Sequence, residues 1–212
     1  MLIGIVSDIH GNLRQLDPAI TLLRSKNMDL ILCAGDLIDF GDDSNGVVRR
    51  ISSMAIPCVA GNHDKRAVQN PVHRSEQLDR GMKVEILDAE TIEFLRQLPP
   101  VLIFEWEQTT VMLAHANPWG ADNQYVQPTS PLPLFQRVIR EAKTDIVILG
   151  HTHQPMCVHI KGTMIVNPGS VSNNYTLPFG TCGILDLPER QFHVINLETG
   201  DLIDEYPILR ND

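Results

Sequence analysis

No stretch of this sequence approaches the roughly 20 apolar residues that a helix needs to cross a bilayer, so a membrane-spanning protein is not expected. Basic charge is scarce: 17 Lys and Arg stand against 26 Asp and Glu, a formal net charge of −9. Such an acidic balance argues against binding long nucleic acid without regard to sequence, which requires a basic footprint. It does not argue against a small anionic ester held by cations. Cysteine is also sparse. The four that occur, Cys33, Cys58, Cys157 and Cys182, lie in or beside apolar runs and show no Cys-x-x-Cys spacing. They read as small buried hydrophobes of a reducing compartment rather than as zinc ligands or a disulfide framework. The N-terminal apolar stretch is short and no basic segment precedes it, unlike a secretory signal. Internal repeats and linkers are lacking. With 43% hydrophobic residues in 212, residues 1–212 read as one globular domain, soluble and cytoplasmic.

Against these absences, one pattern recurs. The apolar run Leu2 to Val6 ends in Asp8-Ile9-His10-Gly11. Asp29 to Ala34 ends in Gly35-Asp36, and Ile56 to Ala60 in Gly61-Asn62-His63-Asp64. Val111 to Ala114 ends in His115, and Ile146 to Leu149 in Gly150-His151-Thr152-His153. Continuous apolar runs of this length suit buried parallel strands. Open α/β sheets gather ligands at the carboxyl ends of such strands. Five of the eight histidines lie at these ends, with no Lys or Arg directly beside the first of them, which points to a bound cation.

These five blocks, in this order and spacing over residues 8 to 153, resemble those of the calcineurin-like metallophosphoesterases. Asn167-Pro168-Gly169-Ser170 extends the likeness to the small bacterial and archaeal phosphodiesterase branch. The resemblance implies a two-metal site in which Asp36 bridges. One ion would take Asp8, His10, Asp36 and His153, and the other Asp36, Asn62, His115 and His151. The mixture of imidazole and carboxylate suits two divalent transition-metal ions, Mn first, with Fe, Ni, Zn or Co as alternatives, better than Ca. Such a pair activates a bridging hydroxide for in-line attack on phosphorus. His63 is expected at the leaving-group oxygen, with Asp64 holding its ring. Asp39 reads either as a loop-fixing residue near the site or as a plain Asx-turn.

The expected fold is α/β, a four-layer αββα sandwich of two mixed β-sheets flanked by helices, and the family resemblance implies the same. Asn12 to Lys26 keeps helical spacing but contains Pro18, which either kinks the helix or restarts it behind an Asp17 cap. Helices are expected near Ser44 to Met54, from Asp88 to Leu98 and from Pro131 to Lys143, with short helix and loop over Lys65 to Arg80. Hairpins are expected at Glu107-Gln108, Lys161-Gly162 and Pro188-Glu189-Arg190. The tail from Thr199 to Asp212 reads as polar surface. Ala116 to Ser130 is a long structureless segment, the kind that usually serves function, and is a candidate lid. Phe40, Trp119 and Tyr125 in loops near the site either stack on an aryl or nucleoside group or simply pack. Lys65-Arg66 either grips a second phosphate or is ordinary surface charge. His73, His159 and His193 match no block. Two departures from the family stand out. Ala116 follows His115 where relatives often have Gly, and Ser172-Asn173-Asn174-Tyr175 lacks the Pro-Arg step that many relatives carry.

The function expected is a hydrolase of small phosphate esters, most of all a phosphodiesterase. A phosphomonoesterase or dinucleoside polyphosphate hydrolase is the alternative, and a non-catalytic scaffold of the same fold the different-class reading. A homo-oligomer is compatible with the sequence.

Overall fold

In the computed structural model, which describes residues 1–70, 85–172, 177–187, 189–203 and 206–211, two mixed sheets face one another. The first has five strands in the order β10-β9-β8-β1-β2: β1 (Leu2–Val6), β2 (Leu30–Cys33), β8 (Thr181–Asp186), β9 (Gln191–Asn196) and β10 (Leu202–Ile203). The second has six in the order β11-β6-β7-β5-β4-β3: β3 (Val101–Trp106), β4 (Thr109–Ala114), β5 (Ile146–Ile148), β6 (Met156–Ile160), β7 (Thr163–Asn167) and β11 (Ile208–Asn211). β1 is parallel to β2 and antiparallel to β8. β4, β5 and β7 are mutually parallel neighbours.

The side-chain alternation of the strands builds the layers. Ile3, Ile5 and Leu32 of the first sheet share a dry core with Val111, Leu113, Ile146, Ile148 and Val166 of the second. The outer face of the first sheet, with Val6, Ile31 and Cys33, packs on α1 (Leu13–Ser25), α2 (Ser44–Ser53) and α4 (Ala89–Gln97). The outer face of the second, with Met112, Val147 and Ile165, packs on Phe135 and Val138 of α5 (Leu132–Ala142). The architecture is therefore the four-layer αββα sandwich.

Local chemistry explains the element ends. Asn12 caps α1 through Gln15 N–H (3.2 Å), and Asp88 caps α4 through Thr91 N–H (2.7 Å). Helix α1 runs through Pro18 without restarting, and Asp17 instead pairs with Arg50 of α2. Glu107 and Gln108 both take positive φ (49° and 60°), the backbone a tight two-residue hairpin needs.

One expectation is corrected. Ile56 to Ala60 forms no full strand; it makes a single parallel bridge, Cys58 to Cys33, where Cys33 N–H reaches Pro57 O (2.9 Å) and Val59 N–H reaches Cys33 O (3.2 Å). Pro57 has no N–H to extend the ladder. The surface tail carries two short strands, as β10 adds to β9 and β11 adds to β6 at the sheet edges. Of the expected short helix and loop over Lys65 to Arg80, α3 (Asn62–Gln69) forms, while residues 71–80, with His73, lie outside the described residues. No helix among the described residues is long and apolar enough to cross a membrane.

Candidate metal centre

The carboxyl ends of β1 and β2 and the Cys58 bridge in one sheet, and of β4 and β5 in the other, open toward the same place. The loops leaving them are stitched together by backbone. Asp8 N–H donates to Gly35 O (3.0 Å), Ile9 and His10 N–H both to Asp36 O (2.9 and 3.0 Å), and Gly150 N–H to His115 O (2.9 Å). This stitching holds an unusual conformation. Asp8, His10, Asp36, His151 and His153 all sit in the left-handed region, at φ 52°, 49°, 55°, 68° and 56°. Each such residue costs on the order of 1–3 kcal/mol, and strain of this kind collects at functional sites. Ala116 is not among the residues with positive φ, so a side chain there is no burden.

The candidate ligand side chains of the five blocks converge in two groups, with His63 beside them. Asp8, His10 and His153 form one, and Asp36, His115 and His151 the other; in each, one ligand atom per residue lies within 4.8 Å of the others. His153 Nε2 is 3.3 Å from Asp8 Oδ1 and 3.1 Å from His10 Nε2. One Asp36 oxygen, Oδ2, faces both groups, 3.3 Å from His115 Nε2 and 3.8 Å from His10 Nε2. Asn62 Oδ1 lies 3.1 Å from His115 Nε2 and 2.8 Å from His151 Nδ1. The far ring nitrogens are engaged by backbone: His115 Nδ1 lies 2.7 Å from Ala34 O and His10 Nδ1 3.2 Å from Ile38 O. Donation there leaves each Nε2 lone pair aimed inward. His151 Nε2 is buried with no hydrogen-bond partner among the described residues. Lone pairs and carboxylate oxygens thus meet with no Lys or Arg among the described residues lining the cavity. This donor set fits divalent transition-metal cations.

Without a cation, protons take that role. Burial would raise Asp8 and Asp36, but the facing imidazoles override it and hold both below the usual carboxylate range. Burial would lower His115, but the Asp36 carboxylate overrides that and pushes it up to about 10. Burial, then the charge of His115, push His151 down to about 4. A cation entering this centre competes with the His115 proton.

His63 lies in the first turn of α3 and lines the same cavity as His10, Asp36 and Asn62. Its ring is held by Asp39, with Nδ1 2.8 Å from Asp39 Oδ2. The expectation that Asp64 holds this ring is corrected. Asp64 is fully buried and its carboxylate accepts three backbone N–H groups, those of Asp36, Leu37 and Gly61, each at 2.9 Å. It clamps the loop after β2 to the start of α3. Gly61 permits that contact, since a Cβ there would lie 2.3 Å from Asp36 N. Asp64→Ala leaves three buried donors without acceptors, each costing about 1–3 kcal/mol. The expected outcome is a lower urea midpoint for unfolding, with or without added metal; an unchanged midpoint would contradict the clamp.

The sequence singled out other residues whose places are now defined. Asn167 Nδ2 donates to Gly150 O (2.7 Å) and Ser170 Oγ to Asp8 O (2.8 Å), so the Asn167-to-Ser170 block fixes the loops carrying His151 and Asp8. Lys65 does not reach into the cavity; it pairs with Asp122 (3.0 Å) and ties α3 to the 116–130 segment. Trp119 turns away, under the Arg137 guanidinium (3.9 Å) and bonded to Gln124. Tyr125 is the aromatic of that segment that lines the cavity, stacked on His151. Asn173, Asn174 and Tyr175 lie outside the described residues.

Known proteins share this fold. A crystal structure of a metallophosphoesterase from Sphaerobacter thermophilus shares the fold with a TM-score of 0.73, at 23% identity over 97% of this chain and 89% of that one. A phosphodiesterase of Methanocaldococcus jannaschii is 23% identical over 205 residues, 93% of this chain and 100% of its own. A symmetrical bis(5'-nucleosyl)-tetraphosphatase of Proteus mirabilis is 30% identical over 119 residues, 53% of this chain and 43% of its own. Residues 1–190 match the calcineurin-like phosphoesterase superfamily domain, and the chain belongs to that superfamily.

Proposed function

We propose that this protein is a dinuclear metal-dependent hydrolase of small phosphate esters, with phosphodiesters as preferred substrates. The observation that supports it most is the single Asp36 oxygen set between two groups of ligand atoms. In this reading Asp8, His10, Asp36 and His153 hold one cation, and Asp36, Asn62, His115 and His151 the other. When bound, the two cations supply Lewis acidity: they draw charge from phosphate oxygens and lower the pKa of water.

The chain's own residues do the rest. Asp8 and Asp36 only partly offset two divalent charges, so the centre stays positive toward an anion. Asp39 accepts from His63 Nδ1, which leaves Nε2 to deliver a proton or a hydrogen bond to the leaving oxygen. No Lys or Arg among the described residues lines the cavity, and residues 116–130 contain none. A dianionic monoester would gain from such charge; a diester, with one negative charge and a second organic group, does not need it. Four buried cysteines, none of them in a disulfide, suit a reducing cytoplasm.

The test is metal removal by chelation, then reconstitution with Mn, Fe, Ni, Co or Zn singly. Each form is assayed on bis-p-nitrophenyl phosphate, p-nitrophenyl phosphate and diadenosine tetraphosphate. Metal-dependent turnover, fastest on the diester, is expected. Faster hydrolysis of the tetraphosphate would favour the activity for which the Proteus mirabilis relative is named. No turnover with any metal would leave the scaffold reading.

A further inference from the structure

Two large aromatic rings near the centre stand in water: Phe40 is 81% exposed and Tyr125 is 53% exposed. Phe40 occupies a costly backbone. Its φ is +65°, and Gly41 N–H donates to Asp39 O across it at 2.8 Å, the three-residue turn of positive φ that is rare and strained. The turn is held by close approach. Gly41 N–H also donates to His10 O (2.7 Å), and a Cβ at Gly41 would lie 2.4 Å from that oxygen. The chain therefore bears strain to present an apolar ring to solvent, which core packing does not explain. That ring lies against two residues of the centre: its own centre is 5.1 Å from the His10 ring and 4.9 Å from the His63 ring.

Tyr125 does the same over the other group of ligand atoms. Its ring lies nearly parallel to His151, at 4.5 Å and 19°. It is carried by a segment fixed in place: Asn117 binds Ala121 N–H and Gln124 O, Lys65 binds Asp122, and Val126 is buried on the far side against the α5 core. Phe40 and Tyr125 line one cavity of about 260 Å³. Among the described residues around it, the polar side chains beyond the candidate ligands, His63 and Tyr125 itself are neutral: Gln127, Thr152 and Gln154.

We propose that Phe40 and Tyr125 are the specificity-determining residues of this site, two aromatic shelves that seat planar aromatic substituents, aryl or nucleobase, on the two sides of a phosphodiester. The assignment rests on the phosphodiesterase reading above. Phe40 touches His63, so it takes the leaving group. Tyr125, over His151, takes the group that stays on phosphorus.

The test uses two substrates with one leaving group, p-nitrophenyl phenylphosphonate and p-nitrophenyl methylphosphonate, on metal-reconstituted protein. The parent should favour the phenyl compound in kcat/KM by about tenfold or more, the scale of one aromatic stacking contact. Tyr125→Ala should collapse that preference to within about threefold, and Tyr125→Phe should keep it. Phe40→Ala should lower kcat/KM for both compounds by a similar factor and leave their ratio intact. Metal content should be unchanged in all three variants. Saturation-transfer NMR with phenylphosphonate, the retained product, should show ring contact in the parent and lose it in Tyr125→Ala. A parent with no phenyl preference, or a preference that survives Tyr125→Ala, overturns the proposal while leaving the phosphodiesterase reading standing. If neither phosphonate is hydrolysed, the phosphodiesterase reading fails, and ring contact that persists in Tyr125→Ala overturns the shelf assignment separately.

Discussion

Asp36→Asn is expected to strip the protein of firmly held metal while leaving its fold intact. The two Asp36 oxygens have different tasks. Oδ1 accepts the His63 backbone N–H at 2.9 Å and so steadies the start of α3. Oδ2 faces His115 and His10, one from each group of ligand atoms. Asparagine has the same shape and can keep the first contact. It replaces the second with an amide NH₂, a donor pointed at nitrogens that should offer lone pairs to a cation, and it removes one of two buried carboxylate charges.

Both proposed sites lose a ligand in that one substitution, whereas Asp8→Asn would weaken one. Loss of a partner that only orients a ligand already costs about 10–100-fold in metal affinity, so loss of a shared ligand should exceed that. Turnover should fall on the order of 10³-fold, the scale for removing one preorganised electrostatic group. Elemental analysis after gel filtration should find fewer than about one ion per chain, against about two in the saturated parent, as a two-metal centre requires. Far-UV circular dichroism should be unchanged. Two firmly bound ions in Asp36→Asn would end the bridging assignment.

The centre was legible because its residues break a pattern. Buried parallel strands are written as apolar runs, and Asp8, Asp36, His115 and His151 each follow such a run within three residues, where chemistry rather than packing selects the side chain. What pairs with what was less legible. Asp64 is next to His63 in sequence, which suggested that it holds the ring. In a helix, neighbouring residues do not share a face; Asp64 turns inward to three N–H groups while His63 turns to Asp39, 24 residues away. Only tertiary structure brings that pair together. The tail strands are not legible in the sequence because β10 has two residues and β11 four, too few to show alternation, and they exist by pairing with β9 and β6. Within residues 116–130 nothing periodic marks which aromatic faces the centre; Arg137, from α5, draws Trp119 away and leaves Tyr125.

His63→Ala should retain metal and fold but lose turnover, and the loss should depend on the leaving group. The His63 ring lines the cavity beside Asn62 yet belongs to neither ligand set built around Asp8 and His115, and its Nδ1 is taken by Asp39. Its proximity to Asp36 and His10 makes a third cluster, so metal content must be measured alongside activity. If the ring delivers a proton or hydrogen bond to the departing oxygen, its worth scales with the charge that oxygen develops. An alkoxide needs the help; p-nitrophenolate, stable on its own, needs little. Removing a general acid costs typically about 10²–10⁴-fold, so alkyl diesters should lose that much and p-nitrophenyl esters less than about tenfold. Asp39→Asn should show the same leaving-group trend at smaller size, because it loosens the ring and weakens its basicity without deleting it. Equal losses for alkyl and aryl esters would assign His63 to holding the phosphate instead. Loss of an ion in His63→Ala would make it a metal ligand.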